Sequence, residues 1–443
     1  MTIARRILAF LGALLAAAAA SAEPRLPIED GLLHAGVSSC STAGCHGDQV
    51  SGAGAGQVVG QNEYFRWRAP GPAGAHSRAY AVLLGPQSQR IARNLGIAAA
   101  HQSQECLSCH ADFVPEDKRS ERFQLSDGVG CEACHGGSEN WLAFHRIGAG
   151  HAQNVEMGLY PTEEPQARGA LCLSCHLGST VDGQFVSHRL MGAGHPRLKF
   201  ELDLYTTMQQ HHTVDADYRE RKSVAPPAKV WATGQAMALQ RTLSLLTDER
   251  IGTAGAFPEL AFFDCHACHQ PINAGDADLS WRANPLRALG PGVPVLNDAN
   301  LIMMIAAAKA LDPILAARLE DEGRALHAAS QMNRANFLAA ARRLAATAEE
   351  TAGRVAAADL ENPAAVRAIL AAVVDRSLSE RYTNYAAAEQ ALFAVQRLSS
   401  SLDIDAGRAA DAISRAAAAA DSPYSYDAAK FRAALADIRE LLP

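Results

Sequence analysis

The residues that could do chemistry are gathered in five cysteine pairs, each followed at once by a histidine. The chain of 443 residues has 10 Cys and 16 His, and every cysteine belongs to one of these pairs. In chain order they are Cys40 and Cys45 with His46, Cys106 and Cys109 with His110, Cys131 and Cys134 with His135, Cys172 and Cys175 with His176, and Cys265 and Cys268 with His269. The last four read C-x-x-C-H, which is the attachment signature of a c-type haem.

The C-x-x-C-H spacing has a geometric reason. Positions i, i+3 and i+4 of a helix share one face, so two thiols can reach the two vinyl groups of one porphyrin while the imidazole lies beneath its iron. A disulfide framework is the ordinary explanation of many cysteines in an exported chain, but it needs no histidine after each pair, and neither does a structural zinc site. The pattern therefore predicts ten thioether cysteines, five proximal histidines and five covalently bound haem c groups.

The first pair departs from this pattern because four residues separate Cys40 from Cys45. We expect the additional residues to loop out, so that the two thiols and His46 still serve one haem. Counting this pair as an attachment site leaves no unpaired cysteine in the chain.

A second axial ligand is needed at each iron unless that iron is to bind a substrate, and the remaining histidines supply the candidates. The distal candidates are His34, His76, His101, His145, His188, His195, His211 and His212. Histidine on both faces is typical of low-potential electron transfer, and we expect bis-His ligation. Met191 and Met208 remain open as less favoured ligands, since methionine raises the potential of a haem.

Several segments make the sequence resemble the multihaem cytochromes c of the cytochrome c-554 type, which are related to the haem cores of hydroxylamine oxidoreductase and nitrite reductase. They are CSTAGCHG at the first pair, HSRAY at His76, CEACHGGSENWLAFH from Cys131 to His145, and SHRLMGAGHPRLKFEL from Ser187 to Leu202. The resemblance covers roughly residues 37 to 205.

The resemblance implies a crossed set of distal ligands. It places His76 on the iron of His135 and His145 on the iron of His46, which would stack these two haems as a pair. The same resemblance assigns His188 or His195 to the fourth motif, at His176. These two histidines are seven residues apart and could share one helix face.

The resemblance also leaves two irons without a clear ligand. The iron of His110 is the expected open site, although His101 or the spare member of His188 and His195 could close it. The fifth motif has no counterpart in the pattern, and its candidates are His34, His211 and His212. No motif reads C-x-x-C-K, so the lysine-ligated haem of the pentahaem nitrite reductases has no equivalent.

The N-terminal residues are those expected of an export signal. Arg5 and Arg6 precede an apolar run from Ile7 to Ala20, and Ala20, Ser21 and Ala22 form a small-residue cleavage pattern. The sequence predicts a signal peptide over residues 1–22. We expect a soluble periplasmic protein with no stable membrane insertion after cleavage.

The elements that must position the haems divide the chain into two parts. Alanine contributes 44 of the last 143 residues but only 45 of the first 300, and no cysteine follows Cys268. We predict a mainly α protein: a pentahaem cytochrome c domain over 23–290, with short helices and loops around five haems, and an Ala-rich C-terminal helical bundle over 297–443. Segment 282–296, with three prolines, marks the boundary. Helices are expected at 229–246, 298–328, 332–358, 363–378, 380–399, 406–419 and 425–441.

Charge and haem content together limit the function. A formal net charge of −7 argues against a nucleic-acid partner, since there is no basic excess to neutralise phosphates. We expect an exported pentahaem cytochrome that transfers electrons between respiratory redox partners, such as a quinol-oxidising membrane cytochrome and a periplasmic reductase. The alternative is a multihaem oxidoreductase that acts on a small nitrogen or sulfur oxyanion at one five-coordinate haem, with the haem of His110 as the candidate. Whether the chain is an enzyme remains open at this point.

Overall fold

The fold is built from helices throughout the part of the chain that the structure, a computed structural model, describes. The described residues are 24–48, 61–253, 255–269, 287, 289 and 293–442. They contain no strand, only two isolated bridges, between His34 and Arg119 and between Phe263 and Leu296. The expectation of a mainly α protein is confirmed. The predicted signal peptide and most of segment 282–296 lie outside the described residues.

The first half of the chain consists of short helices joined by loops. Its α-helices are α1 (Glu63–Trp67), α2 (Ala79–Val82), α3 (Pro86–Leu95), α4 (Gln104–His110), α5 (Glu132–His135), α6 (Leu142–Arg146), α7 (His151–Glu156), α8 (Pro165–His176), α9 (His188–Gly192), α10 (Leu202–Met208) and α11 (Ala216–Arg221). Single 3-10 turns lie at Pro27–Glu29, Val37–Ser39, Pro72–Gly74, His76–Arg78, Ala100–Gln102, Glu116–Lys118, Leu125–Asp127, Leu260–Phe262 and Cys265–Ala267.

The second half is a bundle of longer helices. These are α12 (Pro227–Thr247), α13 (Ala299–Leu311), α14 (Pro313–Ala329), α15 (Arg334–Ala357), α16 (Pro363–Val374), α17 (Arg376–Ser379), α18 (Tyr385–Ser399), α19 (Ala406–Ala419) and α20 (Ala428–Arg439). Their apolar faces form one continuous core that begins at Ala228 and extends to Ile438. Large side chains such as Trp231, Phe337 and Phe431 are fully buried in it.

Helix α12 connects the two halves. It packs against α13 and α15 of the bundle on one side and against α8 and α10 of the first half on the other. Its side chains Trp231, Leu239 and Leu243 belong to the bundle core, although the helix precedes the boundary expected at 282–296. The haem motifs therefore rest on the bundle through a shared helix.

The region expected to form one helix over 298–328 contains two. Helix α13 ends at Leu311 and α14 begins at Pro313, because proline has no backbone N–H to continue the helical hydrogen bonds. The Asp312 carboxylate accepts hydrogen bonds from the backbone N–H groups of Ile314 and Leu315, at 3.2 and 3.4 Å, and so caps the new helix.

Asp298 occupies the N-cap position of α13 without a side-chain cap hydrogen bond, and Asn297 Oδ1 accepts a hydrogen bond from the backbone N–H of Ala299 at 3.3 Å. Asp298 instead accepts from Arg287 Nε at 2.8 Å and lies 3.2 Å from His327 Nε2. The lone histidine of the alanine-rich half is thus a buried structural residue. Among the described helices, none combines the length and the apolar character that a membrane crossing requires.

Candidate functional site

The cysteine motifs lie at the ends of short helices. Helices α4, α5 and α8 each finish at the motif histidine, which is His110, His135 or His176. The fifth motif forms the 3-10 turn Cys265–Ala267. A single helical turn in each motif holds the two thiols and the imidazole on one side of the backbone, as covalent haem attachment needs.

The first motif reaches a similar arrangement by a tight turn. The backbone N–H of His46 donates to the Cys40 carbonyl at 3.1 Å, and that of Cys45 donates to Thr42 at 3.0 Å. Gly44 has φ 82°, a left-handed conformation that glycine adopts without strain. The turn accommodates the additional residues and returns His46 to the side of Cys40.

Every motif histidine has a second imidazole close to it. The distances between ring centroids are 6.0 Å for His46 and His145, 6.1 Å for His176 and His76, 6.5 Å for His110 and His195, 6.2 Å for His269 and His188, and 6.2 and 6.0 Å for His135 with His211 and His212. A metal–imidazole bond is about 2 Å long, as it is for zinc, and the ring centre lies roughly 1 Å behind the nitrogen, so two imidazoles on one metal have centres about 6 Å apart. The ten-cysteine, five-histidine set therefore fits haem iron with an axial histidine on each face.

The first motif has the partner that the resemblance implied, and the fourth does not. His145 faces His46, but His76 lies beside His176 rather than beside His135. The turn His76–Arg78 lies beside the second and fourth motifs. The Ala79 carbonyl, which follows this turn, is 2.9 Å from Nδ1 of His110 in the second motif, so His76 is held beside these motifs rather than beside His135 of the third.

His188 and His195 separate instead of sharing a helix face. Helix α9 begins at His188 but ends at Gly192, and Gly194 has φ 119°, so the chain turns away before His195. His188 faces His269 of the fifth motif. His195 faces His110, at the site that the resemblance left open.

His211 and His212 lie at the third motif, not at the fifth. Their ring centroids are 4.2 Å apart, and the ligating atoms of both and of His135 lie within 4.8 Å of one another. The third motif therefore has two candidate distal ligands where one iron face needs only one.

His34 and His101 have other surroundings. His34 is fully buried, with Nδ1 2.9 Å from the Asp112 carboxylate and Nε2 3.6 Å from that of Asp30. Burial alone would lower the pKa of His34, but the two carboxylates outweigh it and raise that pKa to about 10. His101 packs edge-on against Tyr80, with ring centroids 6.4 Å apart.

Several of the paired imidazoles are fixed through Nδ1. The Glu63 carboxylate is 3.1 Å from Nδ1 of His46, and the Pro196 carbonyl is 2.8 Å from Nδ1 of His195. His110 is held in the same way by Ala79. Such partners orient an imidazole and leave Nε2 for a metal. Glu63 follows His46 by 17 residues in no recognisable motif, and sequence reasoning missed it.

Burial favours the neutral form of five of these imidazoles, whereas the Glu63 carboxylate raises the pKa of His46. Burial lowers the pKa of His76, His110, His135 and His145, and it lowers that of His176 to about 4. A histidine binds metal as neutral imidazole. These five histidines are therefore in the neutral form that iron ligation requires.

The motifs are in contact with one another. The Cys40 and Cys131 thiols are close enough to shift each other's pKa, and so are the Cys109 and Cys175 thiols. The Cys175 thiol also donates to the Ser108 carbonyl of the second motif at 3.8 Å. The Gln184 amide donates to the Cys175 sulfur at 3.5 Å. The first motif is therefore adjacent to the third, as the resemblance implied, and the second is adjacent to the fourth.

Comparison with known proteins bears on the first three motifs. A family model described as cytochrome c554 and c-prime matches residues 40–136, a range that begins at the first thiol and ends just after His135. Neither the curated proteins nor the solved structures provide a match.

Proposed function

We propose that the whole chain is an exported pentahaem c-type cytochrome, because residues 40–136, which contain its first three cysteine motifs, match the family model for cytochrome c554 and c-prime. Its role is to carry single electrons between respiratory redox partners. The five attachment sites are the five cysteine motifs, with His46, His110, His135, His176 and His269 as proximal ligands.

One observation carries the proposal: each of these five histidines has a second imidazole with its ring centre 6.0 to 6.5 Å away. An iron with histidine on both faces has no position for a substrate, whereas an oxyanion-reducing haem needs a free face. His195 supplies the second imidazole at His110, where the enzyme hypothesis requires the opening. The geometry thus favours electron transfer over the alternative of a multihaem oxidoreductase.

The distal assignments that follow are His145, His195, His76 and His188 for the first, second, fourth and fifth motifs. The third motif takes either His211 or His212. Bound haem supplies a one-electron couple whose potential depends on its axial ligands and surroundings. The protein's part is to hold each pair of imidazoles in a fixed orientation and to keep water away from them.

Proximity of the motifs supports a continuous path for electrons. The thiols of the first and third motifs lie close to each other, and so do those of the second and fourth. Cys134 of the third motif is within electrostatic range of Cys172 and Cys175 of the fourth. His176 and Cys265 line one cavity, which brings the fifth motif beside the fourth.

We propose a periplasmic location and partners of the respiratory chain, such as a quinol-oxidising membrane cytochrome as donor and a periplasmic reductase as acceptor. The location rests on the export signal expected at residues 1–22. The choice of partners rests on the low potentials that histidine ligation favours.

The test is the spin state of the haems in the full-length protein, produced with its haems attached. We expect the intact mass to include five haem additions and the spectrum to be entirely low-spin and unaffected by nitrite, hydroxylamine or nitric oxide. A high-spin component that binds these ligands in the unaltered protein would establish the enzyme alternative, and four haem additions would refute the pentahaem count.

A matched pair of variants gives this test its controls. His195→Ala should convert one of the five haems to a high-spin form that binds nitric oxide, because it removes the second imidazole at His110. His151→Ala, at a histidine that pairs with Glu163, should leave all haems low-spin. If His195→Ala leaves the spectrum unchanged, the assignment of His195 is wrong.

A further inference from the structure

The cavity beside the fifth motif lies between the haem region and the C-terminal bundle. Its lining includes Cys265 and His266 of the motif, together with Tyr385, Glu389 and Gln390 of α18. The cavity is partly open to solvent. Of the ten cysteines, only those of the fifth motif contribute to this lining, through Cys265.

The lining has an apolar side and a charged side. Leu173, Phe185 and Leu245 supply hydrophobic surface. The charged lining residues are Arg197 and Lys199, which are basic, and Asp264 and Glu389, which are acidic. An amphipathic planar group with an apolar ring and acidic substituents suits such a lining, and a haem is a group of this kind.

Arg197 is positioned by the bundle. Its Nη2 donates to the Glu389 carboxylate at 2.7 Å, and its guanidinium lies over the Tyr385 ring at 5.6 Å from the centroid. It is close enough to Cys265 to interact with it electrostatically. Guanidinium groups bind carboxylates well because their fixed N–H donors match the carboxylate geometry, and Arg197 has donors beyond the one that Glu389 uses.

The fifth motif is itself attached to the bundle. The backbone N–H of Asp264 donates to Val295 at 2.7 Å, and that of Asn297 donates to Phe262 at 2.8 Å, which ties the motif to the segment leading into α13. The His266 ring lies 6.5 Å from Tyr385 and 5.7 Å from Tyr424, centroid to centroid. The fifth motif therefore contacts both the bundle and the segment that leads into it.

From these contacts we infer that the C-terminal bundle is one wall of the fifth haem site, with Arg197 as the cation that faces the haem propionates. The inference rests on the proposed function, because it takes a covalent haem at Cys265 and Cys268 as given. It assigns the bundle a role in holding a redox centre next to the fourth motif, whose His176 lines the same cavity.

Hydrogen exchange in the full-length protein tests whether the bundle forms a wall of the fifth haem site. A group that binds only the folded state stabilises the elements that hold it. We expect Cys265→Ser with Cys268→Ser, which removes the fifth haem, to accelerate amide exchange in α18 and in residues 421–427. The matched control is Cys40→Ser with Cys45→Ser, which removes the first haem and should accelerate exchange in these bundle segments less, because it acts on them only through the global stability. Equal bundle exchange in the two variants would overturn the inference.

A second measurement does not depend on removing a haem. Arg197→Gln should shift one of the five reduction potentials to a lower value, because loss of a nearby positive charge disfavours the reduced form, and should leave the other four in place. Arg415→Gln, at an exposed pair with Asp437, is the control. Five unchanged potentials in Arg197→Gln would exclude Arg197 from the site.

These outcomes are separable from those that test the proposed function. Suppose that the protein carries five haem additions, that its spectrum is entirely low-spin, and that bundle exchange is equal in the two cysteine variants. This result would support the electron-transfer function and reject the bundle as a wall of the fifth haem site. A high-spin component in the native protein, together with faster bundle exchange in the fifth-motif variant than in the first-motif variant, would reject the electron-transfer function and support the bundle as a wall of the fifth haem site.

Discussion

Glu63 is a single side chain that contacts histidines of two motifs. Its Oε2 is 3.1 Å from Nδ1 of His46, and its Oε1 is 3.7 Å from Nδ1 of His212. Burial would raise the pKa of Glu63, but its contacts with the imidazoles of His212 and His46 outweigh this effect and lower the pKa to about 2. The carboxylate is therefore ionised at neutral pH and acts on both imidazoles as an anion.

We predict that Glu63→Gln raises the reduction potential of the haem at His46. A carboxylate on Nδ1 makes an imidazole a more basic ligand, which stabilises the oxidised iron, and the neutral amide removes that effect. Potentiometric titration of the holoprotein should resolve one or two shifted components. Glu121→Gln, at an exposed position, should shift none, and a Glu63→Gln titration that overlays the wild type would show that Glu63 has only a structural role.

His34 and its carboxylates form a buried network close to the third motif. Besides the contacts with Asp112 and Asp30, Glu132 accepts hydrogen bonds from the backbone N–H groups of Ala35 and Gly36, at 2.8 and 2.7 Å. A protonated His34 offsets part of this buried negative charge. The network gives His34 a structural role beside the third motif.

We predict that His34→Gln lowers the free energy of unfolding by about 3 kcal/mol at pH 6, because removing one partner of a buried ion pair leaves the other uncompensated. The folded-state pKa is raised from 6.5 to about 10, so the stabilisation is complete below pH 6.5 and is lost as the pH rises towards 10. Denaturant titrations from pH 6 to pH 10 should show the difference between the two proteins shrinking. A constant difference across this range would contradict the ionic role of His34.

At the scale of elements, close packing at Gly234 fixes how α12 meets α10. A Cβ atom at Gly234 would lie 2.5 Å from the Cβ of Leu202, and Leu202 is the first residue of α10. The two helices can therefore approach this closely only because position 234 has no side chain. Helix α10 leads towards His211 and His212, so its position matters to the third motif.

We predict that Gly234→Ala destabilises the protein by about 1–3 kcal/mol, the usual cost of overpacking. Gly353 in α15 is the matched control, because a Cβ there meets nothing within 4 Å. Gly353→Ala should stabilise by about 0.5–1 kcal/mol through helix propensity. Thermal unfolding of both variants decides the matter, and similar midpoints would mean that the α10–α12 contact is not tight.

The sequence predicts the existence of these elements better than their ends. The helix expected over 363–378 starts at Pro363 as its Asn-Pro signal indicates, because the Asn362 side chain caps it at 2.9 Å. Pro313, by contrast, divides a helix that periodicity alone predicts as continuous. His188 and His195 would share a face only if α9 continued past Gly192, and the positive φ of Gly194 prevents this.

At the scale of the whole molecule, the attachment motifs could be read from the sequence and most of the distal ligands could not. A C-x-x-C-H motif is local, since one helical turn brings its three side chains together. The pair His188 and His269 is separated by 81 positions, and no spacing within the chain indicates it. Such pairs depend on tertiary packing, above all on how α12 joins the haem region to the bundle.

This shared helix predicts that the haem region and the bundle unfold together. Polar contacts across the junction reinforce α12: Gln390 donates to the Phe200 carbonyl at 3.0 Å, and Gln235 donates to Gln390 at 2.9 Å. Leu435 in α20 is fully buried on the far side of the bundle, where it can report on this coupling. Leu435→Ala should cost about 2–5 kcal/mol.

We expect Leu435→Ala to lower the midpoint of haem-region unfolding, followed by the haem absorbance, as much as that of helix loss, followed by far-ultraviolet circular dichroism. Ile314→Ala, at a side chain that is 75% exposed, should change stability by no more than about 0.5 kcal/mol. Separate domains would give a different result, in which the circular dichroism transition moves and the haem transition stays where it is. Coincident transitions would mean that α12 makes the two halves one cooperative unit, so that the bundle supports the haem sites across their common core.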